Sequence, residues 1–331
     1  MAKFAANMND MLHPKLFSKN VEQIATRDGY GDGLVELGAS DPRVMVLTGD
    51  LAESTRAHLF QKKFPERFVE CGVAEQNMMG VAAGLALSGK IPFVSSYAVF
   101  CPGRNWDQFR ISVCYSNANV KVAGAHAGIS VGPDGATHQA LEDLAITRVL
   151  PGLTVVVPCD YFETKKATIA LGKMIGPAYF RFTREKTPLI TTKKAPFTIG
   201  KHLVLRQGTD TTIAACGPLL YQALVAAEQL SKQKIKVEVI NCHTLKPFDE
   251  KTLVGSVKKT GCCVTVEEHQ IIGGLHGAVS ETLGRNCPVP IEAIGMPNSF
   301  GESGEPQELL EKYGMTVPAI VRAVKKVLNR K

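Results

Sequence analysis

The chain has 331 residues, 45 % of them hydrophobic, which is typical of a globular protein and is long enough for two domains of ordinary size. No stretch approaches the roughly 20 consecutive apolar residues of a membrane span, and the amino-terminal MAKFAANMNDMLHPK lacks the apolar segment of a secretory signal, so we expect a cytoplasmic protein with no membrane partner. The formal net charge of +7 is dispersed or lies in the tail VKKVLNRK, which indicates a helix end rather than a nucleic-acid surface, although a basic surplus suits phosphorylated substrates.

The nine cysteines form no CxxC pair and have no regular spacing. Cys262 and Cys263 are adjacent within a run that reads as a buried strand. This usage is typical of reduced, structural cysteines.

Strand-forming and helix-forming segments alternate along the first half of the chain. The apolar runs RVMVLTGD, VKVAGAH, GLTVVVP and AYFRF predict strands, whereas NMMGVAAGLALSG and FETKKATIALGKM have the apolar spacing of helices. This alternation is the signature of an α/β fold with a mostly parallel sheet.

A second α/β unit follows a segment with the composition of a linker. The sequence EKTPLITTKKAPFTIGKH loses periodicity and gathers Pro, Thr and Lys, and beyond it the predicted strands DTTIAAC, IKVEVINC, GCCVTVEEH and VPIEAIG alternate with predicted helices. We predict a tail at 1–17, a first domain at 18–186, a linker at 187–201 and a second domain at 202–331. Each domain should be a mostly parallel sheet flanked by helices.

Gly31-Asp32-Gly33 looks like the opening of the metal-diphosphate motif of thiamine diphosphate enzymes. That motif also needs a pair of asparagines further along, and the corresponding stretch RAHLFQKKF has none. Because Tyr30, Leu34 and Leu37 fall at helical spacing, we expect the segment to lie within a helix or at a break in one. We predict no metal site in this chain.

A single glutamate stands where an apolar strand gives way to a helix. The stretch FVECGVAEQNMMGVAAGLALSGK, residues 68–90, places Glu75 at that junction. The simplest interpretation is a carboxylate that interacts with the free backbone amides of the first helical turn.

The next segment, PFVSSYAVFCPGRNWDQFR, carries aromatic side chains after a predicted strand. Tyr97 and Phe100 lie at the strand end and precede Arg104. Aromatic residues in such a position often fill a core, but they can also stack on a bound ring.

The loop HAGISVGPDGATHQALEDLA directly follows the predicted strand VKVAGA. It brings His126, Asp134 and His138 into one glycine-rich segment, and glycines let backbone approach a ligand closely. Because ligands of parallel sheets bind at the carboxyl ends of strands, this loop is a candidate binding site.

Three further polar residues stand near predicted element ends: Arg27 in ATRDGY, Ser54 in TGDLAESTR and Arg184 in FRFTREK. Each alone is most simply a solvated surface group. Together they could hold a phosphate, since arginine supplies paired donors.

The ordered motifs GDLAEST, GVAEQNM, SYAVF, WDQFR, HAGISVGPDGATHQALEDLA and the Arg184 segment resemble transketolase. The whole chain is similar to the carboxyl-terminal half of that enzyme, which comprises a pyrimidine-binding domain and a carboxyl-terminal domain. The resemblance implies one subunit of a split transketolase. A separate N-terminal transketolase subunit would then hold the diphosphate of thiamine diphosphate and its Mg or Ca ion, in an assembly expected to be α2β2.

The resemblance also implies roles for the residues near the cofactor. Glu75, in VAEQN, would bond the N1′ nitrogen of the aminopyrimidine ring and start the proton relay that activates the cofactor. Tyr97 and Phe100 would stack on or border that ring, and His138 would lie near its amino group and the donor sugar. An extra residue before Asp107, relative to the animal-type pattern, leaves Arg104 without an assigned role.

For the substrate, the resemblance implies that His126 and Asp134 bond sugar hydroxyls. The distal phosphate of the sugar would be held by Arg27, Ser54, His126 and Arg184. Glu75, His126 and His138 are thus the expected catalytic residues.

The activity implied is transfer of a two-carbon ketol unit from a ketose phosphate to an aldose phosphate, such as from sedoheptulose 7-phosphate to glyceraldehyde 3-phosphate, yielding ribose 5-phosphate and xylulose 5-phosphate in the pentose phosphate pathway. The beta subunits of 2-oxo acid dehydrogenases lack the GPDGATHQ loop, and deoxyxylulose phosphate synthases usually carry an Asp-Arg pair where this chain has Ala125-His126. The alternatives are a related split enzyme, including a deoxyxylulose phosphate synthase-like one, that acts on another sugar phosphate or a sulfonated sugar, and a non-catalytic subunit that kept the fold.

Overall fold

Two β-sheets flanked by helices form the framework of residues 11–331, the part of the chain that this computed structural model describes. The expected α/β fold class, with two mostly parallel sheets, is confirmed. Of the tail predicted at 1–17, positions 1–10 lie outside the described residues. None of the helices in the described part combines the length and the apolar composition that crossing a membrane requires.

The first half of the chain alternates strands and helices, as its apolar runs predict. Its strands are β1 (Gln23–Ala25), β2 (Val44–Thr48), β3 (Phe68–Glu70), β4 (Ile91–Tyr97), β5 (Lys121–Ala125), β6 (Thr154–Val156), β7 (Ala178–Arg181) and β8 (Lys186–Pro188). Its α-helices are α1 (Thr26–Ser40), α2 (Ala52–Thr55), α3 (His58–Lys63), α4 (Glu75–Leu87), α5 (Trp106–Gln108), α6 (Asp143–Arg148) and α7 (Tyr161–Lys173). A π-helix at Phe109–Tyr115 continues α5, and 3₁₀ turns lie at Pro65–Arg67 and Ile129–Asp134.

The second half forms a five-stranded sheet with its own helices. The strands are β9 (Leu203–Arg206), β10 (Thr211–Ala215), β11 (Val237–Asn241), β13 (Cys263–Gln270) and β14 (Ile291–Met296), in the order β14-β13-β10-β11-β9, with only β9 antiparallel to its neighbour. Its α-helices are α8 (Leu220–Ser231), α9 (Glu250–Thr260), α10 (Leu275–Asn286), α11 (Pro306–Lys312) and α12 (Val317–Leu328).

The first sheet has seven strands in the order β12-β6-β7-β5-β4-β2-β3. Strand β12 (Thr244–Lys246) comes from the second half of the chain and pairs antiparallel with β6, while the other neighbours are parallel. Because parallel neighbours point the same way, the carboxyl ends of β2, β4 and β5 lie side by side at one edge of the sheet.

Both faces of this sheet are buried, which explains why its strands read as continuous apolar runs. Val46 and Phe93 pack in one core together with residues of α1 and α7, and their sequence neighbours Leu47 and Val94 pack in the other core together with α4 and the π-helix. The sheet is therefore held between two helical layers, and its carboxyl edge is left as the place for a site.

The segment predicted as a linker is fastened to the first half by buried hydrogen bonds. Strand β8 pairs antiparallel with β1, and the backbone amides of Ile190 and Thr191 donate to the Asp160 carboxylate at 2.8 and 2.5 Å. Asp160 also caps α7 by accepting from the Glu163 amide at 2.9 Å. One buried carboxylate thus ties the connection between the two halves to a helix of the first.

Gly31-Asp32-Gly33 lies inside α1, in agreement with the helical spacing of its neighbours. A Cβ on Gly29 would lie 2.3 Å from the backbone oxygen of Tyr161, and one on Gly33 would lie 2.8 Å from Cβ of Thr168. These glycines let α1 approach α7 closely, and the Asp32 carboxylate accepts the Tyr161 hydroxyl hydrogen bond at 2.6 Å. The motif-like triplet is thus a helix-packing feature of this fold.

The close contact of α1 with α7 gives a test of the fold. Gly29→Ala should lower the melting temperature by several degrees, since about 1–3 kcal/mol is lost when a packed contact is overfilled. Gly84→Ala on α4 is the matched control: its added Cβ meets open space, so better helix propensity should raise stability by about 0.5–1 kcal/mol. Thermal unfolding followed by circular dichroism checks both, and equal shifts for the two variants would contradict the packing described.

Candidate functional site

The candidate site lies at the carboxyl edge of the first sheet, where β2, β4 and β5 end. A cleft of about 470 Å³ opens there, and a second cleft of about 420 Å³ adjoins it. Glu75 and Val73 line both. The larger cleft is lined by Gly49, Asp50, Leu51, Val73, Glu75, Tyr97, Phe100, Asp134 and His138.

Glu75 is the first residue of α4 and is only 4 % exposed. Its carboxylate accepts two hydrogen bonds from Nη1 of Arg104, at 3.1 and 3.2 Å. The side-chain amide of Asn105 donates to the Glu75 backbone oxygen at 3.1 Å, which fixes the start of the helix against the loop after β4. Within residues 11–331 the carboxylate therefore has a guanidinium as its partner, and no side-chain cap holds the amides of this helix.

Four rings form a cluster around the cleft. Tyr97, at the end of β4, lies stacked with Phe100 at 6.0 Å between ring centroids and contacts His126 edge-on at 4.1 Å. His138 packs edge-on against Phe100 at 5.3 Å and against Tyr97 at 6.1 Å. The sequence separates these residues by up to 41 positions, but the parallel register of β4 and β5 joins their loops.

His126 directly follows β5 and has the left-handed backbone conformation, with φ of 54°. It is 2 % exposed, and burial together with the charges of Arg27, Arg184 and Arg56 lowers its pKa to about 3. Its Nε2 lies 3.4 Å from Nη1 of Arg27, and its Nδ1 has no hydrogen-bond partner within the described residues. Because arginine only donates, Nε2 must accept, so the hydrogen of this neutral ring lies on the buried Nδ1.

The basic residues form a layer beside the lining of the cleft. Arg27 donates from Nη1 to the backbone oxygen of Ser54 at 3.0 Å, and burial lowers the pKa of its guanidinium. Arg184 bonds Asp134, which lines the cleft, at 3.3 Å. Arg27 contacts the backbone oxygen of Ser54 rather than its hydroxyl. The lining of the two clefts includes none of the predicted residues Arg27, Ser54, His126 and Arg184.

Two participants were missed by the sequence reasoning. Asp50 follows β2 with φ of 61°, lines the cleft, and has its amide held by Glu70 Oε1 at 2.8 Å. The sequence did indicate Asp50 as a candidate, because it ends the predicted strand run RVMVLTGD. Arg104 had no assigned role, and its partner Glu75 lies 29 positions away, so no local pattern indicates their contact.

Comparison with known proteins assigns both halves of the chain to one family. The model "Transketolase, pyrimidine binding domain" matches residues 22–189, and "Transketolase, C-terminal domain" matches residues 200–320. The 6-deoxy-6-sulfo-D-fructose transketolase subunit SqwH of Clostridium sp. (strain MSTE9) is 43 % identical over 95 % of this chain and 98 % of its own length. The putative transketolase C-terminal section of Methanocaldococcus jannaschii is 43 % identical over 92 % of this chain and 96 % of its own.

A solved structure titled split gene transketolase, inactive beta4 tetramer, matches with a TM-score of 0.86 at 45 % identity, over 94 % of this chain and 100 % of that chain. The fold and the matched domains define the pyrimidine-binding and carboxyl-terminal domain pair of a thiamine diphosphate enzyme. The chain belongs to the transketolase family, whose members are transferases that use thiamine diphosphate and a divalent metal. The resemblance to the carboxyl-terminal half of that enzyme is confirmed, and the match extends over nearly the whole length of relatives that are split subunits.

The buried His126 gives a pH-dependent contribution to stability. The pKa of His126 in the folded chain is about 3, below the ordinary 6.5. Its contribution to the free energy of unfolding is therefore fully present above about pH 6.5 and is lost as the pH falls towards 3, by at most about 1.4 kcal/mol per pH unit. Burial raises the pKa of Glu163 and Glu267 to about 7, and these groups titrate with the opposite sign. The test therefore compares the pH dependence of the free energy of unfolding in the parent chain and in a variant at His126.

We expect His126→Asn, which tolerates the left-handed backbone, to lose less stability than the parent chain between pH 7 and pH 5. The free energy of unfolding in urea at several pH values measures this. The same pH dependence in parent and variant would contradict a neutral, buried His126.

Proposed function

We propose that this chain is the carboxyl-terminal subunit of a two-component, thiamine diphosphate-dependent transketolase that moves a two-carbon ketol unit from a ketose phosphate to an aldose phosphate. The observation that carries the proposal is the convergence of a buried carboxylate, two stacked aromatic rings and His138 on one open cleft, with His126 packed edge-on against one of those rings. The proposed substrates are those of the pentose phosphate pathway, sedoheptulose 7-phosphate with glyceraldehyde 3-phosphate or ribose 5-phosphate with xylulose 5-phosphate. We place the reaction in the cytoplasm.

The residues present fit the aminopyrimidine half of the cofactor. Glu75 offers a buried carboxylate that can share a proton with a ring nitrogen, and the face of Phe100 lies beside it, as the position of Arg104 over that ring indicates. When bound, thiamine diphosphate supplies the carbon nucleophile that the transfer of a ketol unit requires. The task of Glu75 is to hold a proton on the ring nitrogen, and Tyr97 and Phe100 orient the ring.

His138 and His126 have different roles in this proposal. His138 packs against both aromatic rings at the cleft, where it can exchange a proton with the donor's hydroxyl group. His126 stays neutral and offers its Nδ1 hydrogen to a sugar oxygen, since that atom is buried without a partner within the described residues. Asp134 lines the same cleft and can accept a bond from a sugar hydroxyl.

The anionic end of the sugar is proposed to lie near Arg27, Ser54 and Arg184. The positive charges of Arg27 and Arg184 both lower the pKa of His126, so they converge on one region. The Arg184 side chain is 37 % exposed and lies 3.3 Å from the Asp134 carboxylate and 3.7 Å from that of Glu185, so its donors can turn to a phosphate.

A second subunit is part of the proposal because the cleft is open to solvent. Val73, which lines both clefts, is 69 % exposed, as expected for an apolar residue that a partner covers. Gly31-Asp32-Gly33 is packed inside α1 and is not free to hold a diphosphate. We propose an N-terminal transketolase subunit that holds the diphosphate and metal, in an α2β2 assembly.

The proposed role of Glu75 predicts a large loss of activity when its carboxylate is replaced by an amide. Glu75→Gln should lower kcat of the complex reconstituted with the N-terminal subunit by about 100-fold or more, since a positioned proton-transfer group contributes that much. The control Glu66→Gln changes an exposed carboxylate and should leave kcat unchanged. The chain without its partner should show no ketol transfer. Intact activity of Glu75→Gln would revive the non-catalytic alternative, and activity of the chain alone would contradict the two-component proposal.

A second candidate substrate is a sulfonated sugar. One relative at 43 % identity is named a 6-deoxy-6-sulfo-D-fructose transketolase subunit, and arginines can bind a sulfonate as well as a phosphate. The geometry around Arg27 and Arg184 suits any terminal anion, so substrate choice has to be measured.

Ketose substrates that differ only in the group at the end of the sugar, a phosphate, a sulfonate or neither, test the proposed anion site. Arg184→Ala should raise KM for a phosphorylated ketose about tenfold, since a hydrogen bond to a charged group is worth about 1.5–3 kcal/mol before solvent exposure weakens it. KM for the unphosphorylated ketose should not change. The ratio of kcat/KM for phosphate and sulfonate donors in the parent complex decides between the two substrate classes, and an equal effect of Arg184→Ala on all donors would contradict the anion site.

A further inference from the structure

Arg104 occupies the place at which the proposed function puts the cofactor's ring. Its guanidinium carbon lies 4.1 Å from the centroid of the Phe100 ring, and its Nη1 donates to both carboxylate oxygens of Glu75 at 3.1 and 3.2 Å. It also lines the smaller cleft together with Glu75. One side chain thus contacts both residues that are assigned to the aminopyrimidine.

The chemistry of this contact resembles that of a bound aromatic base. A guanidinium is planar, stacks on aromatic faces and donates N–H groups to a carboxylate. A ring that shared a proton with Glu75 and stacked on Phe100 would compete with the guanidinium for both of these groups.

Burial explains why an occupant is needed before the cofactor arrives. Glu75 is 4 % exposed, and a buried carboxylate without a donor is costly. The side chain of Arg104 is 51 % exposed, and within the described residues its hydrogen bonds go to Glu75 alone. The Arg104 side chain can turn into solvent readily because half of it is already exposed, but its withdrawal leaves Glu75 without a donor unless a ligand takes its place.

We propose that Arg104 is a placeholder: in the subunit alone it satisfies Glu75 and covers Phe100, and it must withdraw before the cofactor's ring can bind. The proposal rests on the proposed function, because it takes Glu75 and Phe100 as the ring's contacts. It makes Arg104 a residue that opposes cofactor binding although it lies inside the binding site.

The first test measures cofactor affinity. Arg104→Met keeps much of the length of the side chain and removes the guanidinium. Thiamine diphosphate with Mg²⁺ should then bind the complex reconstituted with the N-terminal subunit about 3- to 10-fold more tightly. This is the size expected for the loss of one half-exposed ion pair with a cation–π contact. Isothermal titration calorimetry gives the Kd. Arg104→Lys, which keeps a charge for Glu75 but cannot stack as a plane, should bind more tightly by a smaller factor and serves if Arg104→Met does not fold.

The matched control is Arg285→Met. Arg285 pairs with Glu250 at 2.8 Å in the second half of the chain, far in the sequence from the cleft, and both side chains are exposed. Its loss should leave the Kd for thiamine diphosphate unchanged. Weaker or unchanged binding by the Arg104 variants would overturn the proposal, because Arg104 would then be a ligand of the cofactor or a bystander. If the parent complex does not bind thiamine diphosphate at all, the proposed function itself fails.

A second measurement needs neither partner nor cofactor. In the isolated chain, Arg104→Met should lower the melting temperature by more than Arg285→Met does, because it leaves the buried Glu75 carboxylate without its donor. In the background of Glu75→Gln, which removes the charge, the effect of Arg104→Met should shrink to that of the control. An effect of the same size in both backgrounds would show that Arg104 does not serve Glu75, and would overturn the placeholder role.

Discussion

The rest of the site depends on one buried carboxylate at the start of a helix. Glu75 is removed from water by α4 and by the loop after β4, so its charge has to be met by a donor from within the site. Arg104 meets it in the chain as described here, and the proposed function gives that position to a cofactor ring. The same burial that makes the carboxylate useful for holding a proton also makes an empty site costly.

The parallel sheet supplies the frame that makes this burial possible. Strands β2, β4 and β5 are neighbours in parallel register, so the turns after Thr48, Tyr97 and Ala125 emerge at one edge. Helical layers on both faces hold the sheet rigid, and the left-handed backbone at Asp50 and His126 turns those two residues sharply as they leave their strands. The position of each functional side chain thus follows from strand order rather than from nearness in sequence.

The second half of the chain is tied to the first by backbone pairing as well as by side chains. Strand β12 joins the edge of the first sheet beside β6, and the connection between the halves is held on Asp160. The predicted boundary at 187–201 matches the loss of periodicity in the sequence, but this segment is anchored through Ile190 and Thr191.

Much of the order of strands and helices can be read from the amino-acid sequence alone. Apolar runs of β-forming residues fixed the strands, because both faces of a parallel sheet are buried, and helical spacing showed that Gly31-Asp32-Gly33 belongs to α1. The ordered motifs indicated the transketolase family, which the comparisons confirm.

Which of these residues are in contact is established by the tertiary fold. The contact of Arg104 with Glu75, the insertion of β12 into the first sheet and the edge-on contact of His126 with Tyr97 join residues 29 to 91 positions apart. No local pattern encodes such contacts, because they arise from strand order and helix packing.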